Sequence, residues 1–263
     1  MARERTVLVT GGTGTLGRHV VRGLLDAGQR VRVLSRRPRR AKDDGAQEWA
    51  TGDLLSGDGI AEAVDGAEVI VHCATGRKDV QALRHLLAAC QHTGGNPHLV
   101  YVSIVGIDRV RFFYYDAKLA CERAVERSGL PWTVLRATQF HDLVERLTTS
   151  QFRLPVSLTL SGARFQPVDA GEVAERLVTL ALGEPAGRAE DMGGPLVHTS
   201  RELASMTLRA YGRRRRVVGL RLPGKAVRAL RAGGNLVPDR AVGTLTYAEH
   251  LERVAGERGV RKG

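Results

Sequence analysis

Two hydrophobic periods alternate along the first half of the chain. Thr6-Val-Leu-Val-Thr10, Arg30-Val-Arg-Val-Leu34, Glu68-Val-Ile-Val-His72, His98-Leu-Val-Tyr-Val-Ser103 and Trp132-Thr-Val-Leu-Arg136 are short, β-branched and strand-like. Between them, residues 15–27 carry Leu16, Val20, Val21, Leu24 and Leu25 at helical spacing, and residues 79–92 carry Val80, Leu83, Leu86 and Leu87. Shorter helices are predicted near Gly59–Val64 and over 115–128, and Gly28 is predicted to stop the first helix. Strands apolar on both faces, separated by helices, predict a parallel sheet with right-handed crossovers, covered on both sides.

Past Arg136 the alternation loosens. Val168-Asp169 opens a helix running to about Leu182, with Asp169 and Glu172 at capping-box spacing, and Thr199 and Glu202 repeat that spacing before Leu203–Tyr211. Short strands and turns such as Gly193-Gly194-Pro195 lie around them. No shift in composition marks a linker, so residues 1–263 are predicted as a single fold. Residues 1–140 are its core, and residues 141–263 a smaller, mostly substrate-facing lobe.

Composition narrows the class. At 43% hydrophobic and 26% charged residues, the chain is neither disordered nor a disulfide scaffold. No apolar run approaches the roughly 18 residues that cross a bilayer, and the N-terminus has no signal-like segment. A soluble cytoplasmic protein, a monomer or homodimer without membrane contact, is expected. Cys73, Cys90 and Cys121 form no CxxC pair, and the histidines show no HExxH spacing, so no metal site is expected. The net charge is +12, and lysine is scarce (Lys42, Lys78, Lys118, Lys225 and Lys262). The densest basic runs are Arg36-Arg37-Pro38-Arg39-Arg40 and Arg213 to Arg216. Aromatics make up 5% of the chain and interleave neither run, so no nucleic-acid partner is expected.

The most informative stretch is Gly11-Gly12-Thr13-Gly14-Thr15-Leu16-Gly17, between the first strand and the first helix. Gly11 allows the turn out of the strand, Gly14 a close approach to a pyrophosphate, and Gly17 tight helix packing. Free N–H groups at the helix start then receive phosphates. The second strand ends Leu34-Ser35-Arg36-Arg37, without the carboxylate that binds an NAD ribose. Arg36 first, then Ser35 and Arg37, suit a 2′-phosphate, so NADP(H) is the expected cofactor.

The Gly-x-x-Gly-x-x-Gly loop resembles that of the short-chain dehydrogenase/reductase superfamily, in its extended and atypical branches. Tyr101-Val-Ser-Ile-Val-Gly-Ile-Asp108, Tyr115-x-x-Lys118-x-x-x-Glu122 and the stretch from Ser128 to Phe140 narrow the resemblance to the NmrA-like, NAD(P)H-binding atypical reductases. The Val168-Asp169 helix, Gly193-Gly194-Pro195 and Leu245-Thr246-Tyr247 fit the same pattern. The resemblance implies a Rossmann doubly wound parallel sheet, dinucleotide-binding over 1–140, with a small C-terminal α+β substrate lobe. It places adenine near Asp53 and Leu54, and the wall of the cofactor cleft at Cys73, Ala74 and Thr75. Cys73 also reads as a buried apolar thiol, and Asp53 as a turn residue.

Tyr114 and Lys118, four apart on one helix face, match the family's Tyr-x-x-x-Lys pair. By that resemblance Lys118 holds the nicotinamide ribose and lowers the phenol's pKa. Tyr114 gives a proton to a substrate oxygen, and Ser103 orients that oxygen; Tyr115 is the other candidate phenol. Phe112, Phe113, Phe140 and His141 are read either as pocket walls or as core, with His141 as an alternative proton donor. The resemblance implies an NADPH-dependent reductase acting on a small apolar carbonyl, quinone or enone. Its alternatives are a non-catalytic NADP(H)-sensing regulator and a nucleotide-sugar epimerase or dehydratase.

Overall fold

A computed structural model describes residues 3–37 and 46–260, with the side chains of the last helix described to residue 256. Pro38, Arg39 and Arg40 of the first arginine run therefore lie outside the described residues. The first half reads β1 (Thr6–Thr10), α1 (Thr15–Asp26), β2 (Arg30–Ser35), β3 (Glu48–Thr51), α2 (Ile60–Val64), β4 (Val69–His72), α3 (Asp79–His92), β5 (His98–Ile104), α4 (Phe113–Glu126) and β6 (Trp132–Ala137). Every element predicted for this half is present, with boundaries shifted by a few residues at most. Gly28, at φ 70°, adopts the left-handed conformation that ends α1, and its N–H bonds the Leu25 carbonyl.

The second half reads α5 (His141–Thr149), β7 (Ser157–Leu160), β8 (Arg164–Phe165), α6 (Ala170–Leu182), β9 (Gly187–Arg188), β10 (His198–Thr199), α7 (Ser200–Ala210), β11 (Val217–Leu220), α8 (Lys225–Arg231), a 3₁₀ turn (Pro238–Arg240) and α9 (Tyr247–Val260). Thr199 and Glu202 close the predicted capping box on α7. Asp169 caps α6 through the Gly171 and Glu172 N–H groups, but Glu172 does not complete a box. Its carboxylate instead accepts the Thr244 and Leu245 N–H groups, a tertiary partner that outcompetes the local one. A box at Thr246 and Glu249 opens α9, where the sequence analysis predicts no helix.

Seven strands form one sheet in the order β3-β2-β1-β4-β5-β6-β9. The β1–β2, β2–β3, β1–β4, β4–β5 and β6–β9 pairs are parallel. This is the Rossmann doubly wound arrangement. The strand order reverses between β1 and β4, and ligands bind at the carboxyl ends of strands at such a point. β1 and β4 are buried along their whole length, as apolar central strands require. α1 turns Leu16, Val20, Val21 and Leu24 inward.

The described residues divide into two compact units. One comprises residues 1–103, 116–135 and 173–189; the other comprises 104–115, 136–172 and 190–263. The first holds a core of Leu8, Ile70, Leu83, Leu86, Leu99 and Tyr101 with their neighbours. The second packs Val144, Leu203, Tyr247 and Leu251 together and pairs β7 with β11 and β8 with β10. No helix among the described residues is long and apolar enough to cross a membrane.

Candidate active site

The glycine loop is shaped by contacts that exclude side chains. Gly11 has φ 69°, and a Cβ there would lie 2.6 Å from the Ala74 nitrogen and 2.8 Å from the Cys73 carbonyl carbon. The loops leaving β1 and β4 thus touch backbone to backbone. A Cβ on Gly17 would lie 2.1 Å from the Gly11 carbonyl oxygen, so α1 sits directly on the loop. Gly14 is the N-cap of α1 and donates to that same carbonyl at 2.9 Å. No side chain caps this helix start. Its first N–H groups and positive dipole end therefore remain for an anion. Thr13, Gly14 and Thr15 are exposed, whereas Leu16 is buried and can offer a ligand only its backbone.

At the tips of β2 and β3, Arg36 lines a cleft of about 250 Å³ with Thr51, Gly52, Asp53, Asp58 and Gly59. Ser35 Oγ accepts the Arg37 N–H at 3.2 Å. The two carboxylates in the cleft serve their own turn: Asp53 accepts the Leu55 N–H, and Asp58 accepts Ser56 Oγ–H. Leu54 packs on the core, and its carbonyl is paired with His85 Nδ1 at 2.8 Å. Cys73 is half-buried, and burial raises its pKa to about 12, so it is a thiol at neutral pH.

A polar cluster the sequence analysis does not foresee surrounds Lys118. The lysine is 3% exposed, and its Nζ lies 3.5 Å from Asp79 Oδ2, with both side chains buried. Thr75 Oγ1 donates to the same Asp79 oxygen at 3.0 Å, and the Gly76 N–H bonds the other. Lys118 Nζ also stands 4.9 Å from the centre of the Tyr101 ring, within cation–π range. His72 stacks beside Tyr101, and its Nδ1 pairs with Thr10 Oγ1 at 2.8 Å. The only sequence signal for Asp79 is a carboxylate at the first turn of a helix, which ordinarily marks a helix start and no more.

Burial, and then the Lys118 charge, lower the pKa of His72 to about 3. An unfolded histidine takes its proton near pH 6.5, so the unfolded state binds more protons between that value and 3. The His72 contribution to stability is therefore full above about pH 6.5 and drains away on acidification towards 3. Urea denaturation at pH 7.5, 6 and 4.5 should show a falling midpoint. His72→Gln should flatten that dependence; a variant as acid-sensitive as the parent would exclude His72 as its source.

Ser103, at the end of β5, is 3% exposed, and its Oγ makes no hydrogen bond. A buried hydroxyl left in this state suits a group that receives a ligand oxygen.

Tyr114 and Tyr115 belong to the second unit. Tyr115 is 6% exposed and packs on Phe112 with ring centres 4.3 Å apart, and burial raises its pKa. Tyr114 is half-buried and keeps the four-residue spacing to Lys118 within α4. Phe113 is 77% exposed and walls nothing. His141 is not a proton donor at an open pocket. It is fully buried against Tyr247 and His250, and burial followed by the His250 charge lowers its pKa to about 4.

The glycine cradle and the uncapped helix start fit a dinucleotide, and comparison with known proteins agrees. A family model described as NAD(P)H-binding matches residues 11–181. The chain is 32% identical over 215 residues to the (4-alkanoyl-5-oxo-2,5-dihydrofuran-3-yl)methyl phosphate reductase of Streptomyces griseus, covering 79% of this chain and 74% of that one. It is 27% identical over 227 residues to the photosystem II assembly factor Ycf39 of Trieres chinensis, covering 81% and 71%. The NADPH-dependent quinone oxidoreductase QOR2 of Escherichia coli, solved with NADPH, has a similar fold. Its TM-score is 0.79 at 17% identity, over 94% of this chain and 99% of that one.

Proposed function

The chain belongs to the NAD(P)H-binding family, and on that premise we propose that it is an NADPH-dependent oxidoreductase that reduces a small apolar carbonyl, quinone or enone. The observation that carries the proposal is Lys118. A lysine buried beside Asp79, on the helix that begins with Phe113-Tyr114, is costly to maintain unless it works on a ligand. The similarity to the (4-alkanoyl-5-oxo-2,5-dihydrofuran-3-yl)methyl phosphate reductase supports the reaction class.

The backbone of Gly11, Thr13, Gly14, Thr15, Leu16 and Gly17 would hold the diphosphate. Arg36, with Ser35 and Arg37, would take the 2′-phosphate. The turn at Asp53 and Leu54 would flank the adenine, and Cys73, Ala74 and Thr75 would line the cleft through their backbone. Lys118 would bond the nicotinamide ribose, and the 2′-phosphate contacts of Arg36 are what support NADP(H) as the cofactor. When bound, the reduced nicotinamide supplies a hydride to the substrate carbon. Tyr114 then delivers its phenolic proton to the substrate oxygen while Ser103 donates a hydrogen bond to it, so that a carbonyl becomes an alcohol. The substrate lobe is proposed to lie within residues 141–263.

Tyr114→Phe is expected to lower kcat about 10²–10⁴-fold, the usual worth of a positioned general acid, with NADPH affinity unchanged. Full activity in that variant would reject Tyr114 as the donor and turn attention to Tyr115. Arg36→Ala should weaken NADPH binding by about 10–100-fold, through loss of charge-assisted bonds, and leave NADH binding alone. Equal weakening of both would reject the 2′-phosphate assignment.

The likeness to an assembly factor favours a second reading, an NADP(H)-responsive protein without catalysis. It expects tight NADPH binding, no NADPH oxidation with any quinone, enone or carbonyl, and retention of a partner protein. A nucleotide-sugar epimerase is the third reading, and the absence of a carboxylate after Leu34 argues against it.

A further inference from the structure

We propose that His141, Asp169 and His250 form a structural site for one divalent metal ion of the zinc class, with Glu145 fixing the His250 ring from behind. His141 opens α5, Asp169 caps α6 and His250 lies in the first turn of α9. One ligating atom from each side chain lies within 4.8 Å of the others, and the three residues are 0%, 6% and 3% exposed.

The unmet bonding of the imidazoles points to a ligand. Neither nitrogen of His141 makes a hydrogen bond of ordinary geometry, although the Pro167 carbonyl faces its ring, and Nδ1 of His250 makes none. Buried polar atoms are almost always satisfied, so three orphaned ring nitrogens in one cluster need an explanation. Glu145 supplies a second sign. Its Oε2 lies 2.9 Å from Nε2 of His250, and its Oε1 accepts the Tyr211 hydroxyl. An anchored carboxylate that takes the Nε2 proton leaves the lone pair of His250 on Nδ1. This is how metal-ligating histidines are commonly oriented.

Two imidazoles and a carboxylate match the donor preference of zinc. Zinc bonds of about 2.0–2.2 Å set tetrahedral donors roughly 3.3–3.5 Å apart. The ion therefore closes the widest gap between donors by up to about 1.5 Å and completes its shell with water. The remaining competitor is Arg253, whose guanidinium lies 2.8 Å from Asp169 Oδ2. Its side chain is half exposed and can turn to solvent. No reaction is assigned to this ion; it pins the starts of three helices together. The spacing rules miss it because its ligands come from three distant stretches of chain.

The test uses the whole protein after dialysis against EDTA. Zinc chloride is titrated by calorimetry, cobalt chloride is followed by visible absorption, and melting is recorded with and without zinc. One zinc per chain, a zinc-dependent rise in Tm that EDTA reverses and a tetrahedral cobalt spectrum are expected. Glu145→Gln should weaken zinc binding about 10–100-fold, and His250→Gln should weaken it further, with NADPH affinity unchanged in both. Absent stoichiometric uptake, an unmoved Tm or a cobalt spectrum lacking the tetrahedral band would overturn the proposal. So would zinc binding that survives His250→Gln, which would assign the ion to surface histidines such as His19 and His92. A His250→Gln chain that fails to fold leaves the decision to the three measurements on the unmodified protein.

Discussion

Asp79→Leu is expected to destabilise the protein by about 3–5 kcal/mol, because it leaves the buried Lys118 ammonium without its counter-ion. At roughly 2–4 °C per kcal/mol for a chain of this size, the melting point should fall by about 6–20 °C. The double variant Asp79→Leu/Lys118→Met removes both charges and should regain most of that loss, since replacing a buried pair with apolar groups of similar volume is often neutral. The expected pattern is thus a single variant less stable than the double. Thermal denaturation of the three proteins side by side checks it. A single variant melting within about 2 °C of the parent would show that Asp79 is not what holds Lys118. Neither variant should turn over substrate, because both disturb the lysine that would bond the ribose.

The second large effect is expected at Gly17. Gly17→Ala puts a methyl where the Gly11 carbonyl oxygen stands 2.1 Å away and the Gly12 Cα 2.7 Å away. Both obstacles are backbone, so the loop itself must move off the start of α1. The proposed diphosphate contacts depend on that geometry, and NADPH affinity should fall by about 100-fold or more, some 2.7 kcal/mol. Gly28→Ala is the control. Gly28, unlike Gly17, has positive φ, and a Cβ there meets nothing within 4 Å. It should cost only backbone strain, about 1 kcal/mol, and leave NADPH binding intact. Fluorescence titration of both variants with NADPH separates the outcomes. Matching affinities in the two would mean that the loop does not carry the phosphates.

Gly17 and Asp79 also show what a single sequence discloses. The function of Gly17 depends on covalent geometry within a few residues, so spacing alone reveals it, and the strand–loop–helix order is legible for the same reason. The role of Asp79 depends on a lysine from another helix, and no local pattern reports that pairing. Glu172 is instructive in the opposite sense. Its spacing to Asp169 satisfies a local rule, yet three donors from Thr244 and Leu245 claim its carboxylate. β7 and β11, each four residues long, pair in parallel register from Ser157 with Val217 to Leu160 with Leu220. Strands that short carry too little periodicity to be predicted, which is why the second half is hard to read. His141 is visible in the sequence as a histidine after a strand. Its neighbours Asp169 and His250 become visible only once the chain is folded.

The hydrogen bond between Thr10 and His72 has a thermodynamic corollary. It rivets β1 to β4 at the last residue of each, where the two strands part and the loops holding Gly11 and Ala74 begin. Those loops leave a fixed seam, and little ordering entropy remains to be lost when a dinucleotide docks on them. Such preorganisation implies fast, nearly rigid association, with the backbone of this seam displaced by less than about 1 Å between the free and occupied protein.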